Sequence, residues 1–107
     1  MDKIEISETD KDGWHVVGVK GRVDGLTADL LERALVTAVG SNPKVAVDCS
    51  GIEYISSAGL RSLLEGARAA QIAKQTFIVC APSHRAKQVF DISRMHLVMT
   101  IQEALPC

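Results

Sequence analysis

Two adjacent serines, Ser56 and Ser57, carry the hydroxyl groups that are best placed for chemistry in this chain. They stand in the run Y-I-S-S-A-G-L at residues 54–60, where the small residues that follow leave a hydroxyl uncovered. A serine hydroxyl can attack a substrate with the help of a base, or it can accept a phosphoryl group from another enzyme. The run lacks the G-x-S-x-G pattern of a nucleophile elbow, and no motif places a histidine beside it. A catalytic serine is therefore disfavoured, which leaves a phosphate acceptor and a plain helix cap as open interpretations.

Apolar residues at helical spacing follow the serines and predict a helix over residues 57–73. The expected buried face of this helix consists of Leu60, Leu63, Leu64, Ala67 and Ala70. Unpaired backbone N–H groups and the helix dipole favour negative charge at a helix start, so a phosphate would be tolerated there. Serine is also a favoured N-cap, so the position alone does not choose between the two interpretations.

The other residues that could do chemistry show no pattern of a catalytic or metal site. The three histidines fall on different predicted elements without H-x-x-x-H spacing, and they are His15, His84 and His96. No Gly-Lys-Ser/Thr run of a nucleotide-binding loop occurs. The three cysteines are far apart and form no C-x-x-C, so they predict free thiols, with Cys49 and Cys80 buried and Cys107 exposed. We therefore expect neither a metal nor a cofactor.

Composition and charge restrict the class of protein further. The 107 residues are 47% apolar but only 4% aromatic, which suits one domain over residues 1–107 with an aliphatic core. Twelve basic residues nearly balance thirteen acidic ones, so a nucleic-acid partner is not expected. No apolar run is long enough to span a membrane, and the N-terminus does not resemble a signal peptide. The default expectation is a cytoplasmic protein.

The first half of the chain predicts a hairpin and a helix. Residues 3–7 and 14–20 should be antiparallel strands, joined by a turn over residues 8–13 that contains Asp12-Gly13. Residues 21–25 are expected to break the second strand. A helix should follow and end at the Gly and Pro of residues 40–43. Its predicted apolar stripe consists of Leu26, Leu30, Leu31, Ala34, Leu35 and Ala38.

The second half predicts a βαβ unit around the serines. Strands at residues 44–48 and 75–81 flank the helix and should be parallel, with a loop at residues 49–53. Functional loops usually lie at the carboxyl ends of such strands. A third helix is expected from Pro82 to Phe90, then an edge strand at residues 97–99 and a helical turn at residues 101–105. The predicted fold class is α/β, a mixed four- to five-stranded sheet with helices packed against it.

The stretch V-D-C-S-G-I-E-Y-I-S-S-A-G-L-R-S-L-L at residues 47–64 resembles the signature of the STAS domain. The resemblance is to the stand-alone anti-sigma factor antagonists of bacterial partner-switching systems in particular. A second block, G-R-V-D at residues 21–24, is similar to the family's Gly-x-Leu/Val-Asp. The order of strands and helices also agrees, so the resemblance covers essentially the whole chain.

This resemblance implies a regulatory binding protein that is not an enzyme and is a monomer when free. Unphosphorylated, such a protein binds a GHKL-type serine kinase that is also an anti-sigma factor. Phosphorylation releases it, and a PP2C-type phosphatase restores it. A STAS assembly subunit without a phosphorylation switch, in a transporter or stress-signalling complex, is the alternative.

The resemblance also assigns residues. Ser57 stands at the phosphorylated position. Many members have Asp immediately before the acceptor, whereas this chain has Ser56 there, which makes Ser56 the second choice of acceptor. Asp24 is expected on an adjoining loop that faces the kinase. The full expected partner surface consists of Asp24, Ser56, Ser57, Ala58, Gly59, Leu60 and Arg61.

Overall fold

A five-stranded mixed sheet forms the centre of the structure, a computed structural model that describes residues 3–105. Its strands lie side by side in chain order: β1 (Ile4–Lys11), β2 (Trp14–Val23), β3 (Lys44–Ile55), β4 (Thr76–Cys80) and β5 (Thr100–Gln102). β1 is antiparallel to β2, and all later neighbours are parallel. The helices are α1 (Ala28–Ser41), α2 (Ser57–Ala73), α3 (His84–Ser93) and a 3-10 helix, Met95–Leu97. The predicted fold class is confirmed.

The hairpin of β1 and β2 turns at Asp12-Gly13, as predicted. Both residues have positive φ, 52° and 86°, which matches the right-handed twist of the two strands. The predicted wider turn over residues 8–13 is wrong, because pairing continues from Ile4↔Gly21 to Lys11↔Trp14. Polar side chains at residues 8–11 are compatible with this pairing because an edge strand can expose them to water.

The strands that precede Asp24 and the serines, β2 and β3, are longer than their composition indicates. β2 does not end at Gly21 but continues to Val23, with shifts in register on either side of Gly21, where φ is 103°. The loop predicted at residues 49–53 is also wrong, since β3 runs through them to Ile55. The pairing of β3 with β4 ends at Asp48, and beyond this residue β3 pairs as a strand only with β2. Irregular pairing of this kind accommodates glycine inside a strand.

Helix α1 begins later than its apolar stripe indicates. Thr27 is its N-cap, so Leu26 lies outside the helix and is 92% exposed. Leu30 is 52% exposed as well, so the predicted stripe is wrong at both leucines. The buried face is rotated and consists of Ala28, Leu31, Leu35, Ala38 and Val39.

Helix α2 has the predicted bounds, and the βαβ unit with parallel β3 and β4 is confirmed. The end of the chain differs from its prediction. Arg94 adopts a left-handed conformation after α3, with φ of 57°, and a 3-10 helix occupies Met95–Leu97 instead of an edge strand. The last strand is Thr100–Gln102, so the helical turn predicted at residues 101–105 is wrong.

The sheet separates two apolar clusters. The larger one joins strands to helices through residues such as Val17, Val47, Leu35 and Leu63. On the other face, a small cluster of Ala46, Ile78 and Cys80 packs against Trp14 and Val16. Side chains alternate between the two faces along each strand.

The two cysteines that the structure describes are buried free thiols, as predicted. Loss of hydration is the main reason why the pKa of Cys80 rises to about 11, and the nearby Asp48 adds to the rise. Burial raises the pKa of Cys49 still further. Cys107 lies outside the described residues. Among residues 3–105, no helix is both long and apolar enough to span a membrane.

Candidate functional site

The ends of β2 and β3 bring the two predicted site segments side by side. Val23 pairs with Ile55 at the last position of the ladder, and the Ser56 N–H donates to the Val23 carbonyl at 2.9 Å. The loop after β2, which begins at Asp24, and the start of α2 therefore leave the same edge of the sheet. This is the strand end at which α/β folds commonly place functional loops.

The two serines have different roles at the start of α2. Ser56 is the N-cap, with an extended backbone, and its Oγ accepts a hydrogen bond from the Gly59 N–H at 3.4 Å. Ser57 is the first helical residue, and its side chain is exposed. Within residues 3–105, no hydrogen bond engages the Ser57 hydroxyl. The capping function therefore falls to Ser56, and Ser57 presents its hydroxyl to solvent.

Gly59 explains how close the helix start lies to the sheet. A Cβ on this residue would be 2.7 Å from Ile55 Cγ1 and 2.8 Å from the Val23 carbonyl oxygen. Such distances are too short for real carbon contacts, so this position accepts only glycine without movement of the helix. Leu60 is half-buried and packs against the main core, while Ala58 is half-buried beside Ser57.

Asp24 forms a network of hydrogen bonds within its own loop. Its Oδ1 accepts from the Leu26 N–H at 2.9 Å, and its backbone N–H donates to Thr27 Oγ1 at 3.0 Å. The Thr27 hydroxyl in turn donates to the Arg22 carbonyl at 2.8 Å. The second carboxylate oxygen, Oδ2, lies 3.7 Å from Arg22 Nε. The carboxylate is partly buried and held in place beside the start of α1.

A groove of about 560 Å³ separates the starts of α1 and α2. We call it the α1–α2 groove, and its lining consists of Gly25, Ala28, Asp29, Glu32, Ser57, Ala58, Arg61 and Ser62. Ser62 is buried, and its hydroxyl lies 2.8 Å from the Ala28 carbonyl and 3.2 Å from the Ala58 carbonyl. This serine ties the two helix starts together, so the groove has fixed walls.

A second groove, of about 640 Å³, runs along the other side of α2. We call it the Met95 groove, and its lining consists of Ser57, Leu60, Arg61, Leu64, Glu65, Ala67, Arg68, Gln71, Met95 and Val98. Ser57 and Arg61 belong to both grooves and form the ridge between them. The exposed hydroxyl therefore stands at the junction of two concave surfaces.

The structure adds residues that the sequence did not assign to this surface. Tyr54 is 37% exposed, and the Arg22 guanidinium lies 4.2 Å from the centre of its ring. Leu26, predicted as core, projects into solvent beside Asp24. A capping analysis could have found Leu26, because Thr27 at the N-cap excludes it from the helix. The pairing of Arg22 with Tyr54 depends on the shifted register of β2 and β3, which no local pattern shows.

His15 lies at the opposite end of β2 from the serine site. Its Nδ1 is 2.7 Å from Asp10 Oδ1, and its Nε2 is 2.7 Å from Glu8 Oε1. The hydrogen bond with Glu8, followed by that with Asp10, raises the pKa of His15. No group of three or more residues suited to hold a metal ion occurs in the part of the chain that the structure describes.

The mixed sheet, and the βαβ unit whose helix begins at the two serines, agree with the fold that the resemblance implied. The sequence profile described as "Mlab, STAS domain" matches residues 6–100. The chain belongs to the STAS domain family.

Relatives from two genera and one solved structure illustrate this membership. BtrV of Bordetella bronchiseptica, which carries the name of an anti-sigma factor antagonist, is 32% identical over 94 residues, 87% of this chain and 75% of BtrV. The anti-sigma-F factor antagonist RsfB of Mycobacterium tuberculosis is 35% identical over 63 residues, which are 58% of this chain and 52% of RsfB. The crystal structure of an anti-sigma factor antagonist from Mycobacterium paratuberculosis superposes with a TM-score of 0.83 at 28% identity, covering 97% of this chain and 89% of that one.

Proposed function

We propose that this chain is an anti-sigma factor antagonist whose affinity for a kinase is controlled by phosphorylation of Ser57. The names of BtrV and RsfB support the antagonist role. In the proposed cycle, the unphosphorylated chain binds a GHKL-type serine kinase that acts as the anti-sigma factor in the cytoplasm. Phosphorylation dissociates the pair, and a PP2C-type phosphatase removes the phosphate. The chain is then a regulatory binding protein and a substrate of catalysis.

The exposed, unbonded hydroxyl of Ser57 at the first position of α2 is the observation that carries this proposal. The kinase would transfer the γ-phosphoryl group of ATP to Ser57 Oγ. A bond forms from Oγ to phosphorus, the bond from phosphorus to the ADP oxygen breaks, and the hydroxyl proton passes to a base of the kinase or to solvent. Ser56 remains the second choice, because its Oγ is already committed to the Gly59 N–H.

Phosphorylation would act through local electrostatics. A phosphoserine adds about −1.5 to −2 units of charge at neutral pH. Unpaired N–H groups at the start of α2 tolerate this charge in the free protein. At an interface the same charge must lose its hydration, and a buried charge without a partner costs several kcal/mol. Affinity then falls by orders of magnitude while the fold stays intact.

The proposed kinase-binding surface surrounds Ser57. It includes Asp24, Ser56, Ala58, Leu60 and Arg61, with Gly59 allowing the helix start to lie close to the sheet. Leu26 extends this surface, because an almost fully exposed leucine is an apolar group that a partner can cover. Tyr54 extends it on the other side, where its ring is held by Arg22. Aromatic residues of this kind are frequent at the centres of protein interfaces.

Incubation with ATP and each GHKL-type kinase of the source organism, followed by intact-mass analysis, tests the proposal. We expect one kinase to add a single phosphate to the wild type and none to Ser57→Ala. Ser56→Ala is the matched control and should still accept the phosphate. If the kinase phosphorylates Ser57→Ala but does not phosphorylate Ser56→Ala, the acceptor is Ser56 instead.

A STAS assembly subunit is the second candidate, because the matched family description names a STAS domain and no phosphorylation switch. The two candidates differ in the same experiment. If no GHKL-type kinase modifies the wild type, and the chain co-purifies with transporter components, the assembly role replaces the switch.

A further inference from the structure

We propose that Arg61 is the counter-ion of a phosphate on Ser57, and that phosphorylation thereby withdraws Arg61 from a carboxylate of the kinase. This inference rests on the proposed phosphorylation of Ser57 and assigns the regulation of that site to a second residue. The modification would then act twice, by adding an anion and by neutralising a cation on which binding depends.

Position on α2 brings Arg61 within reach of the acceptor. Arg61 follows Ser57 by four residues, a spacing that places two side chains on the same face of a helix. Helical side chains lean toward the N-terminus, so the guanidinium is directed toward the first turn, where Ser57 lies. The two residues together line both the α1–α2 groove and the Met95 groove.

The Arg61 guanidinium is available for a new partner. Its side chain is exposed, and within residues 3–105 neither a hydrogen bond nor an ion pair engages it. Arg22, the other arginine close to this edge of the sheet, is stacked on Tyr54 and lies beside Asp24. Arg61 is therefore the cation within one turn of Ser57 on α2 that can respond to a phosphate without breaking an existing contact.

The surrounding charges direct a phosphate toward Arg61. Asp29 and Glu32 form the α1 side of the α1–α2 groove and would repel a phosphate dianion. In the Met95 groove, Glu65 lies one turn beyond Arg61 and Arg68 follows almost one further turn along α2. A phosphate on Ser57 thus meets two carboxylates on one side and a guanidinium on the other. Arg61 is the basic residue in the lining of the α1–α2 groove, so it is the group there that attracts the phosphate.

The unmodified protein would use Arg61 for binding. The floor of the Met95 groove is apolar, with Leu60, Leu64, Ala67 and Met95, and its rim carries Arg61 and Arg68 against one acid, Glu65. A partner segment that complements this groove has apolar side chains flanked by a carboxylate. The groove begins at Ser57, so a phosphate there would both repel that carboxylate and occupy Arg61. Binding and modification compete for the same guanidinium.

A titration of the phosphate itself tests the pairing without any kinase. Phosphoserine is incorporated at position 57 during translation, and the second pKa of the phosphate is followed by ³¹P NMR. We expect this pKa to rise by at least about 0.3 unit in Arg61→Gln, because loss of the cation disfavours the dianion. Arg61→Lys keeps the charge and should stay near the wild type. Arg68→Gln, in the same groove but 11 residues from Ser57, is the matched control and should shift the pKa by less than about 0.1 unit.

An equal pKa in wild type and Arg61→Gln would overturn the pairing, as would equal shifts in Arg61→Gln and Arg68→Gln. This result is independent of the kinase assay, so failure of the pairing leaves the proposed function standing. With the unphosphorylated chain and the kinase that modifies it, Arg61→Gln should weaken binding by about two- to five-fold, the range of an exposed charge pair. Unchanged affinity would overturn the proposed contact between Arg61 and the kinase.

Discussion

Ser56 and Ser57 are chemically identical neighbours, but they occupy different positions at the start of α2. Ser56 is the N-cap, and Ser57 is the first helical residue. The Ser56 hydroxyl caps α2 by accepting from the Gly59 N–H, and its carbonyl accepts from the Leu60 N–H at 2.9 Å. Ser57 sits one position later, where the first helical residue points outward. The Ser56 hydroxyl is therefore used by the fold, whereas the Ser57 hydroxyl is left exposed.

Stability measurements should separate the two serines. Ser56→Ala is expected to lower the free energy of unfolding by about 1 kcal/mol through loss of the N-cap. Ser57→Ala should change it by less than about 0.5 kcal/mol, as exposed substitutions usually do. Ser57→Asp should leave the melting temperature within a few degrees, because an acid is favourable in the first turn. Urea unfolding measures all three variants, and a larger loss in Ser57→Ala than in Ser56→Ala would show that the cap had been assigned to the wrong residue.

At the other end of β2, His15 is held between two carboxylates. A neutral imidazole has one N–H and can donate to only one of them, whereas the protonated ring donates to both. The short contacts with Asp10 and Glu8 therefore favour the charged ring, and they raise its pKa. The contacts of His15 with Asp10 and Glu8 therefore join the two strands of the hairpin with a strength that depends on pH.

The pH dependence of stability should reveal this contact. Because the folded-state pKa of His15 is raised, its contribution is fully present below the unfolded pKa of about 6.5 and is lost as the pH rises through the folded value. The advantage of wild type over His15→Gln in unfolding free energy should therefore be larger near pH 6 than near pH 9. Urea unfolding at the two values measures it. An advantage that grows with pH would contradict the assigned protonation.

Among the elements, α2 packs closely against the sheet at two glycines. Gly59 faces the Val23 carbonyl and the Ile55 side chain, and Gly66 faces the ring of Phe77, where a Cβ would lie 3.0 Å from two ring carbons. Two glycines on one face let the helix approach the sheet along its first three turns. The position of the exposed serine is therefore fixed by backbone packing.

Replacing the first of these glycines should cost stability despite the higher helix propensity of alanine. A Cβ in Gly59→Ala meets a backbone oxygen that cannot move aside, so we expect a loss of about 1–3 kcal/mol in unfolding free energy. Gly40→Ala is the matched control, because Gly40 lies in α1 and a Cβ on it would meet no atom within 4 Å outside its own stretch of helix. It should gain up to about 1 kcal/mol. A stabilised Gly59→Ala would show that the helix start can move away from the sheet.

At the scale of the whole molecule, the sequence predicted what local patterns control. The Asp12-Gly13 turn and the bounds of α2 follow from turn chemistry and helical periodicity. The continuation of β3 through Ser50-Gly51 could not be predicted, because those residues resemble a turn and become strand only through pairing with β2. The last strand was misplaced for a similar reason. Met95 and Met99 are buried by tertiary packing, and this packing selects a 3-10 helix where an edge strand was expected.

The candidate site was likewise predictable where local patterns determine it, and not where it depends on strand pairing. The signature around Ser57 indicated a helix start, and the start is where it was expected. The exposed Leu26 and the ring of Tyr54 beside Arg22 depend on how two strands align, which is a property of the assembled sheet. The distinction between Ser56 and Ser57 also required the geometry, since either hydroxyl could have been the cap.

The second half of β3 would leave a row of backbone carbonyls open where β4 has ended. Ser83, just before α3, covers this row, because its hydroxyl donates to the Ile52 carbonyl at 2.7 Å and its N–H donates to the Cys49 carbonyl at 3.1 Å. An uncovered strand edge is a template for pairing with another chain. The start of α3 therefore closes a strand edge that could otherwise pair with a second copy of the chain.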